Sequence, residues 1–230
     1  MLKRIRNYFT AGEIALWGVS AGAIVVSFLI FDRSNPWTLA ASLIGITSLL
    51  FNAKGNPTGQ ALMILFSLLY GYISYTFSYY GEMLTYLGMS MPMAVFALVS
   101  WLRHPYQGQR SEVQVNTLRP RELLLMIPVT VAVTVAFGFL LAYFHTANLL
   151  PSTLSVTTSF AAVYLTFRRS PLFGLAYAAN DLVLILLWTL ASITDARYIS
   201  VVVCFAAFFV HDIYGFLSWQ KRRRRQGSVA

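Results

Sequence analysis

The sequence predicts an all-α integral membrane protein with about eight transmembrane helices. Of its 230 residues, 57% are hydrophobic and only 11% are charged, whereas soluble domains carry about 25% charged residues. Apolar runs near the roughly 20 residues of a membrane-spanning helix recur along the whole chain. Almost no sequence remains for a soluble domain, so we expect the function to be carried out inside the bilayer.

The apolar runs give the order of the predicted spans. We place them at about 12–31, 37–53, 61–81, 84–102, 122–144, 149–167, 172–193 and 199–219. The first ten residues lead into a full-length span without a small-residue cleavage site, so we expect no cleavable signal peptide.

The basic residues predict the orientation of the chain. The net charge is +9, and when the gaps between spans are numbered alternately, all but Arg33 and Arg197 of the 17 Lys and Arg fall on the side that holds both termini. This is the positive-inside pattern, which predicts a multi-pass protein of the cell (inner) membrane with both termini in the cytoplasm. The basic tail over 221–225 then meets anionic lipid headgroups, and nucleic acid is not an expected partner.

The sequence gives little support to a metal, a cofactor or catalysis. Cys204 has no partner cysteine, and His104, His145 and His211 fall at different depths or sides. No ATP-binding motif is present. An enzyme would need a nucleophile and a base at one depth, and His211 beside Asp212 is the only adjacent pair of that kind. We therefore predict no metal, no cofactor and no enzymatic activity.

Two pairs of short segments indicate an internal repeat. Lys54-Gly-Asn-Pro57 and Arg168-Arg-Ser-Pro171 each connect the first two spans of a set of three, and Val99-Ser-Trp-Leu-Arg103 and Leu217-Ser-Trp-Gln-Lys221 each end such a set. The offsets within the two pairs are nearly equal. One linking span between the copies gives them the same orientation, so the prediction is an extra N-terminal helix followed by a 3-1-3 arrangement of two parallel repeats.

The predicted organisation has five parts. They are the N-terminus and extra helix (1–36), the first repeat (37–103), the loop and linking helix (104–148), the second repeat (149–220) and the basic tail (221–230).

Two acidic residues inside the predicted spans are the main candidates for a site. A carboxylate in hydrocarbon costs at least about 2.5 kcal/mol and usually faces the bundle interior or a wet cavity. Asp181 lies near the middle of span seven, and Asp212 lies at a similar depth in span eight. We therefore predict that they share a cavity.

Polar and aromatic residues near these acids suggest the ligand. Tyr177 and Trp188 lie on the same helical stripe as Asp181, Asn180 precedes it, and Tyr70 falls at a similar depth in the first repeat. Rings and a carboxylate suit a flat, cationic ring, and an amide suits a hydroxyl or amide partner. Tyr70, Tyr177, Asn180, Asp181, Trp188 and Asp212 are thus the predicted substrate-binding residues.

Alternative interpretations exist for several of these residues. Asn180 can join helices through hydrogen bonds, as amides do in membranes. Asp212 can form a structural pair with its neighbour His211. Trp101 and Trp219, at the ends of spans four and eight, are interpreted as interfacial belt residues.

Three features of the chain resemble the PnuC family of nicotinamide riboside transporters. They are the segment AYAANDLVLILLW over 176–188, the segment DIYGFLSW over 212–219 and the 3-1-3 order of the spans. The resemblance covers nearly the whole chain after about residue 36. It implies a SWEET-like fold, a homotrimer, and uptake of a vitamin precursor by facilitated diffusion. We expect alternating access to come from one three-span unit rocking against the other. Through the same resemblance, Asp212 is expected to line the cavity.

One departure from the family pattern leaves the substrate open. The family has tryptophans three apart, followed four residues later by Asn or Asp. When the pattern ends on Asp181, Gly174 and Tyr177 occupy the tryptophan positions, and when it ends on Asn180, Phe173 and Ala176 do so. Nicotinamide riboside is the leading expectation, with thiamine, riboflavin or a deoxynucleoside as the alternative. A membrane-embedded enzyme or a scaffold subunit is a more distant alternative.

Overall fold

The chain forms a bundle of long helices in a computed structural model that describes residues 8–76, 79–146 and 148–227. Within these residues there are eight helices. They are α1 (Ala11–Phe31), α2 (Pro36–Ala53), α3 (Thr58–Thr76), α4 (Tyr80–Arg103), α5 (Pro120–Tyr143), α6 (Leu149–Phe167), α7 (Phe173–Ser192) and α8 (Ile199–Gly227). The predicted all-α fold class is confirmed.

Seven of the eight helices are long and apolar enough to cross a membrane. The exception is α3, which has 19 residues but carries Gly, Ser, Thr, Gln and Tyr side chains along its length. Its predicted span over 61–81 runs too far: α3 ends at Thr76 and Tyr80 already begins α4, while residues 77 and 78 lie outside the described part of the chain. Residues 1–7 of the predicted N-terminal part and residues 228–230 of the predicted tail also lie outside it.

Six helices form a closed ring in which α2, α3, α4, α6, α7 and α8 each pack against the next, and α8 returns to α2. The ring thus consists of two sets of three consecutive helices, α2–α4 and α6–α8. Helix α1 packs outside the ring against α2 and α8, and α5 packs mainly against α6. The end of the bundle where α1 begins and α8 ends is called the terminal face below.

Equivalent turns end the first helix of each set at the terminal face. After α2, Gly55 has φ +64°, and after α6, Arg169 has φ +56°. Each turn leads to a proline, Pro57 or Pro171, that cannot continue the helix. These are the two short segments that the sequence comparison paired.

The last helix of each set hydrogen-bonds the end of the first helix of the other set. On α4, the Ser100 hydroxyl donates to the carbonyl oxygen of Phe167 at 3.0 Å, and the Trp101 indole nitrogen donates to that of Thr166 at 2.9 Å. These bonds bring side-chain donors to carbonyl groups in the last turn of α6, one of which, that of Thr166, also accepts from the Arg169 N–H of the following turn.

Helix α8 makes the matching pair of bonds to α2. Ser218 donates to the carbonyl oxygen of Ala53 at 2.8 Å, and Trp219 donates to that of Asn52 at 2.8 Å. We call the four bonds together the reciprocal seam. Trp219 is 0% exposed and Trp101 is 1% exposed. The interpretation of both tryptophans as belt residues is therefore wrong, because their rings lie inside the protein where the two sets meet.

The connection between α4 and α5 folds onto the terminal face. It forms a β-hairpin of β1 (Pro105–Tyr106) and β2 (Gln109–Val113). Val113 is buried against Trp101 and Trp219, and its N–H donates to the Gly55 carbonyl oxygen at 2.9 Å. The hairpin therefore covers the reciprocal seam.

Helix α4 contains a wide π turn over Tyr86–Ser90. The Met91 N–H donates to the Tyr86 carbonyl oxygen five residues back, one residue more than in an α-helix. Pro92 follows and has no N–H to bond Gly88 in the regular pattern. Such turns are frequent at functional sites, and Tyr86 and Ser90 both face the cavity described next.

A buried ion pair fastens α1 to the ring. Glu13, which closes a capping box with Thr10, lies 2.9 Å from the Lys54 ammonium and accepts a 2.7 Å hydrogen bond from the Tyr214 hydroxyl. Helix α1 is thereby tied to the end of α2 and to α8. The ion pair keeps the one acid of α1 from being buried without a partner.

Candidate functional site: a buried acidic cavity

A small cavity lies at the centre of the six-helix ring, and every helix of the ring contributes to its lining. Its volume is about 40 Å³. The polar lining residues are Tyr86, Ser90, Ser159, Tyr177, Asn180, Asp181 and Asp212. The apolar lining residues are Leu49, Met63, Phe66, Phe205 and Phe208. Among these residues there is no Lys, Arg or His.

Asp181 and Asp212 face each other across the cavity from α7 and α8. Each is only 3% exposed, and both line the same cavity of about 40 Å³. The second oxygen of Asp181, Oδ2, has no hydrogen-bond partner among the described residues. The structure therefore brings together the two acids that the sequence singled out.

The close approach of α7 to α8 depends on Gly174, two turns before Asp181. A Cβ atom at this position would lie 2.8 Å from both the Asp212 carbonyl oxygen and the Phe216 nitrogen. Only glycine lets the two backbones come this near. It thus helps set the distance at which the two carboxyl groups meet.

Asn180 both joins two helices and lines the cavity, the two roles considered for it from the sequence. Its carbonyl oxygen accepts hydrogen bonds from Thr158 at 2.8 Å and from Ser159 at 2.9 Å, both on α6. The amide therefore joins α7 to α6. Asn180 also lines the cavity, and no hydrogen bond from its NH₂ group is found to any described residue. Its orientation is fixed by α6, and the NH₂ group is left to donate.

The structure does not place Tyr70 and Trp188 in the lining. The Tyr70 ring lies behind Tyr86, with centroids 4.4 Å apart, so Tyr86 takes the position expected for Tyr70. Trp188 is seven residues beyond Asp181, about 10 Å further along the helix. There it packs 5.1 Å from Tyr79 and 5.3 Å from Tyr198, on the side of the cavity away from the terminal face.

His211 does not pair with Asp212. Its Nε2 lies 3.2 Å from the Ser20 hydroxyl of α1, and its Nδ1 has no hydrogen-bond partner among the described residues. Neighbouring residues of a helix point about 100° apart, so only Asp212 faces the cavity. The interpretation of the two as a structural pair is wrong.

Tyr86, Ser90 and Ser159 line the cavity and were not predicted from the sequence. Pro92, six residues after Tyr86 and inside a predicted span, was a usable signal for the π turn that carries Tyr86 and Ser90. Nothing in the sequence distinguishes Ser159 from the other serines of α6.

Among the residues that the structure describes, no group of three or more His, Cys, Asp or Glu side chains is placed to hold a metal ion. The chemistry available to the cavity is that of two carboxyl groups, an amide, hydroxyl groups and aromatic rings. It can bind a polar or cationic molecule with a flat ring.

The helices form a ring around a buried polar cavity, which lies at the interface of two parallel three-helix sets. This is the architecture of a small-molecule transporter. Residues 35–221 match the family described as nicotinamide mononucleotide transporter. The chain belongs to this family.

Two relatives support the same assignment. The nicotinamide riboside transporter PnuC of Neisseria mucosa is 25% identical over 218 residues, which are 92% of this chain and 82% of the relative. A crystal structure of the vitamin B3 transporter PnuC superposes with a TM-score of 0.82 at 23% identity, covering 95% of this chain and 94% of that one. The resemblance inferred from the sequence is confirmed.

Proposed function

We propose that this chain carries nicotinamide riboside across the cell membrane and that the buried acidic cavity binds it. The observation that carries the proposal is the composition of the lining: two carboxyl groups and an amide, with no basic side chain. Nicotinamide riboside has a cationic pyridinium ring, an amide and a ribose. Asp181 and Asp212 attract the positive charge, Tyr177 stacks on the ring, and the NH₂ group of Asn180 donates to the ligand's oxygen atoms.

The same lining argues against the phosphorylated form of this ligand. The family description names nicotinamide mononucleotide, which carries a phosphate group. Phosphate sites are built from Arg, Lys or backbone N–H groups. In this cavity a phosphate would meet two carboxyl groups and no counter-charge. The riboside therefore fits the cavity better than the mononucleotide.

Transport proceeds by facilitated diffusion with alternating access. A cavity of about 40 Å³ is far smaller than the roughly 300–1,000 Å³ of typical ligand pockets. The two three-helix sets, residues 37–103 and 149–220, must therefore part to admit the ligand, and the rocking of one set against the other does this. Tyr70 and Trp188, predicted as substrate contacts, are both buried beside the closed cavity, and we propose that they contact the ligand only when the two sets part.

The terminal face is cytoplasmic in this proposal. Lys54 and Arg168 directly follow α2 and α6 at the terminal face, Arg103 ends α4 there and Lys221 lies in the last part of α8, whereas Arg33 and Arg197 lie between helices at the opposite face. This distribution supports the positive-inside orientation in a cell (inner) membrane. The sequence resemblance also implies a homotrimer, for which the molar mass of the detergent-solubilised protein is the direct measurement.

A transporter of another vitamin or nucleoside is the second candidate, because the tryptophans of the family pattern are replaced here. An enzyme or a scaffold subunit has less support, since the relatives are transporters. Titration calorimetry on the purified chain with nicotinamide riboside, thiamine, riboflavin and uridine tests the proposal. Selective micromolar binding of nicotinamide riboside is expected. Selective binding of another compound would reassign the substrate.

A further inference from the structure

The NH₂ group of Asn180 differs from the other polar groups of the described cavity lining, because it donates hydrogen bonds and cannot accept them. The carboxyl groups of Asp181 and Asp212 supply acceptor oxygens, and the hydroxyl groups of the lining tyrosines and serines both donate and accept. Among the described residues the lining has no Lys, Arg, His or Trp. An oxygen atom of a ligand in the cavity therefore has one dedicated side-chain donor, and that donor is Asn180.

Two hydroxyl groups of α6 decide which end of the Asn180 amide faces the cavity. The amide oxygen, Oδ1, accepts from the Thr158 hydroxyl at 2.8 Å and from the Ser159 hydroxyl at 2.9 Å. An amide oxygen has two lone pairs, so these bonds occupy both of them. If the amide turned over, both hydroxyl groups would have to accept instead, and Oδ1 would become a further acceptor beside the acids of the cavity.

The surroundings of the two hydroxyl groups favour the orientation in which they donate to Asn180. Ser159 makes no other side-chain hydrogen bond to a described residue, so Oδ1 is the acceptor that its proton has. Thr158 also lies 3.1 Å from the Leu154 and Ser155 carbonyl oxygens of its own helix, but its contact with Asn180 is the shortest of the three. The amide is thus held with its NH₂ group free to donate.

We propose that Thr158 and Ser159 are positioning residues that hold the Asn180 amide as a donor, so that the cavity selects ligands with an oxygen acceptor as well as a positive charge. This inference rests on the proposed function and adds residues that set part of its specificity. The acids attract the cation, and Asn180 binds the oxygen. A flat cation without such an oxygen leaves the buried NH₂ group unpaired, which costs binding free energy.

Thr158 allows a direct test, because it does not line the cavity and its effect on a ligand there is indirect. Thr158→Val keeps the branched shape of the side chain and removes the hydroxyl group. We expect the Kd for nicotinamide riboside, measured by titration calorimetry on the purified full chain, to rise about three- to tenfold. Thr158→Ser keeps the hydroxyl group and should bind the ligand as the unaltered chain does.

A double-mutant cycle with Asn180→Ala separates positioning from a general structural role. If Thr158 acts through the amide, Thr158→Val should weaken binding no further once Asn180 is replaced, whereas a loss of helix packing would persist. The matched control is Thr157→Val at the next residue, whose hydroxyl lies 3.0 Å from that of Thr134 on α5. This control should leave the Kd unchanged. If Asn180→Ala binds too weakly to measure, the contrast of Thr158→Val with Thr158→Ser and Thr157→Val is decisive.

Failure of the inference is distinguishable from failure of the proposed function. An unchanged Kd in Thr158→Val, or an equal further loss in the Asn180→Ala background, would overturn the positioning role and leave the proposed function standing. The absence of any binding of nicotinamide riboside to the unaltered chain would overturn both. If Thr158→Val does not fold, Ser159→Ala takes its place in the same cycle, with the same expected results.

Discussion

The indole rings of Trp101 and Trp219 lie 5.3 Å apart between centroids, although each belongs to a different set of three helices. Each ring also donates a hydrogen bond to the end of a helix in the opposite set. The contact stands at the middle of the reciprocal seam, so the seam holds the two halves of the bundle together at the terminal face.

Trp219→Phe should destabilise the protein by about 1 kcal/mol, because the indole hydrogen bond to the Asn52 carbonyl oxygen is lost, leaving only that oxygen's backbone donor at Gly55, while an aromatic ring still fills the space. Thermal unfolding in detergent measures this. Trp37→Phe is the matched control, since Trp37 is 57% exposed and its indole makes no hydrogen bond to a described residue. Equal unfolding temperatures for the two variants would contradict a structural role for the Trp219 bond.

Gly174→Ala should destabilise the protein by about 1–3 kcal/mol, because the new methyl group would press on the backbone of α8 at Asp212 and Phe216. The displaced Asp212 should also weaken ligand binding. Gly18→Ala is the comparison, because a Cβ atom at Gly18 meets nothing within 4 Å. Unfolding temperature and ligand affinity are both measured. If Gly174→Ala changed neither of them, α7 and α8 would be free to move apart, and the close approach at Gly174 would not be required.

Asp181→Asn should lower uptake of nicotinamide riboside into proteoliposomes on the order of tenfold or more, because the cavity loses a charge that attracts the cationic ring. The amide has nearly the same volume, so the unfolding temperature should change little. Asp195→Asn serves as the control in the same assay. Unchanged affinity in Asp181→Asn would remove Asp181 from the binding site.

Glu112→Gln should make stability less dependent on pH. Burial alone would raise the pKa of Glu112, but the charges of Arg222 and Arg225 outweigh it and hold the pKa below its usual value near 4.5. Because the pKa is lowered in the folded state, the Glu112 carboxylate stabilises the fold above about pH 4.5. This stabilisation is lost as the pH falls through the folded-state pKa of Glu112.

The expected loss for Glu112→Gln is below about 1 kcal/mol at pH 7, because the site is partly open to solvent. At a pH below the folded-state pKa the two proteins should unfold at nearly the same temperature. Thermal unfolding at pH 7 and at pH 4 or below gives the comparison. A difference in unfolding temperature that grows as the pH falls would contradict a stabilising role for the ionised Glu112 carboxylate.

The helices and the two acids could be predicted because their signals are local. Apolar runs fix where spans lie, and a carboxylate within such a run is costly enough to identify Asp181 and Asp212 as interior residues. The repeat was visible in the turns after Lys54 and Arg168 because a positive φ and a following proline limit the choice of residues.

The rotation of each helix could not be predicted in the same way. In a soluble helix the apolar face points inward, but a membrane helix is apolar toward both lipid and core. Depth correctly placed Tyr70 near the level of the cavity, yet only the packing of six helices puts Tyr86 in the lining and Tyr70 behind it. For the same reason, a Ser-Trp pair at a helix end gave no sign that Trp101 and Trp219 are buried.

The reciprocal seam has a consequence for the order in which the chain matures. The carbonyl groups of Asn52 and Ala53 lie at the end of α2, but their side-chain donors, Trp219 and Ser218, are synthesised 167 and 165 residues later. The end of α2 must therefore wait, without these donors, until α8 has been synthesised. A chain cut short before Ser218 keeps most of α8 but lacks both donors, so the half of the seam that fastens α8 to the end of α2 cannot form.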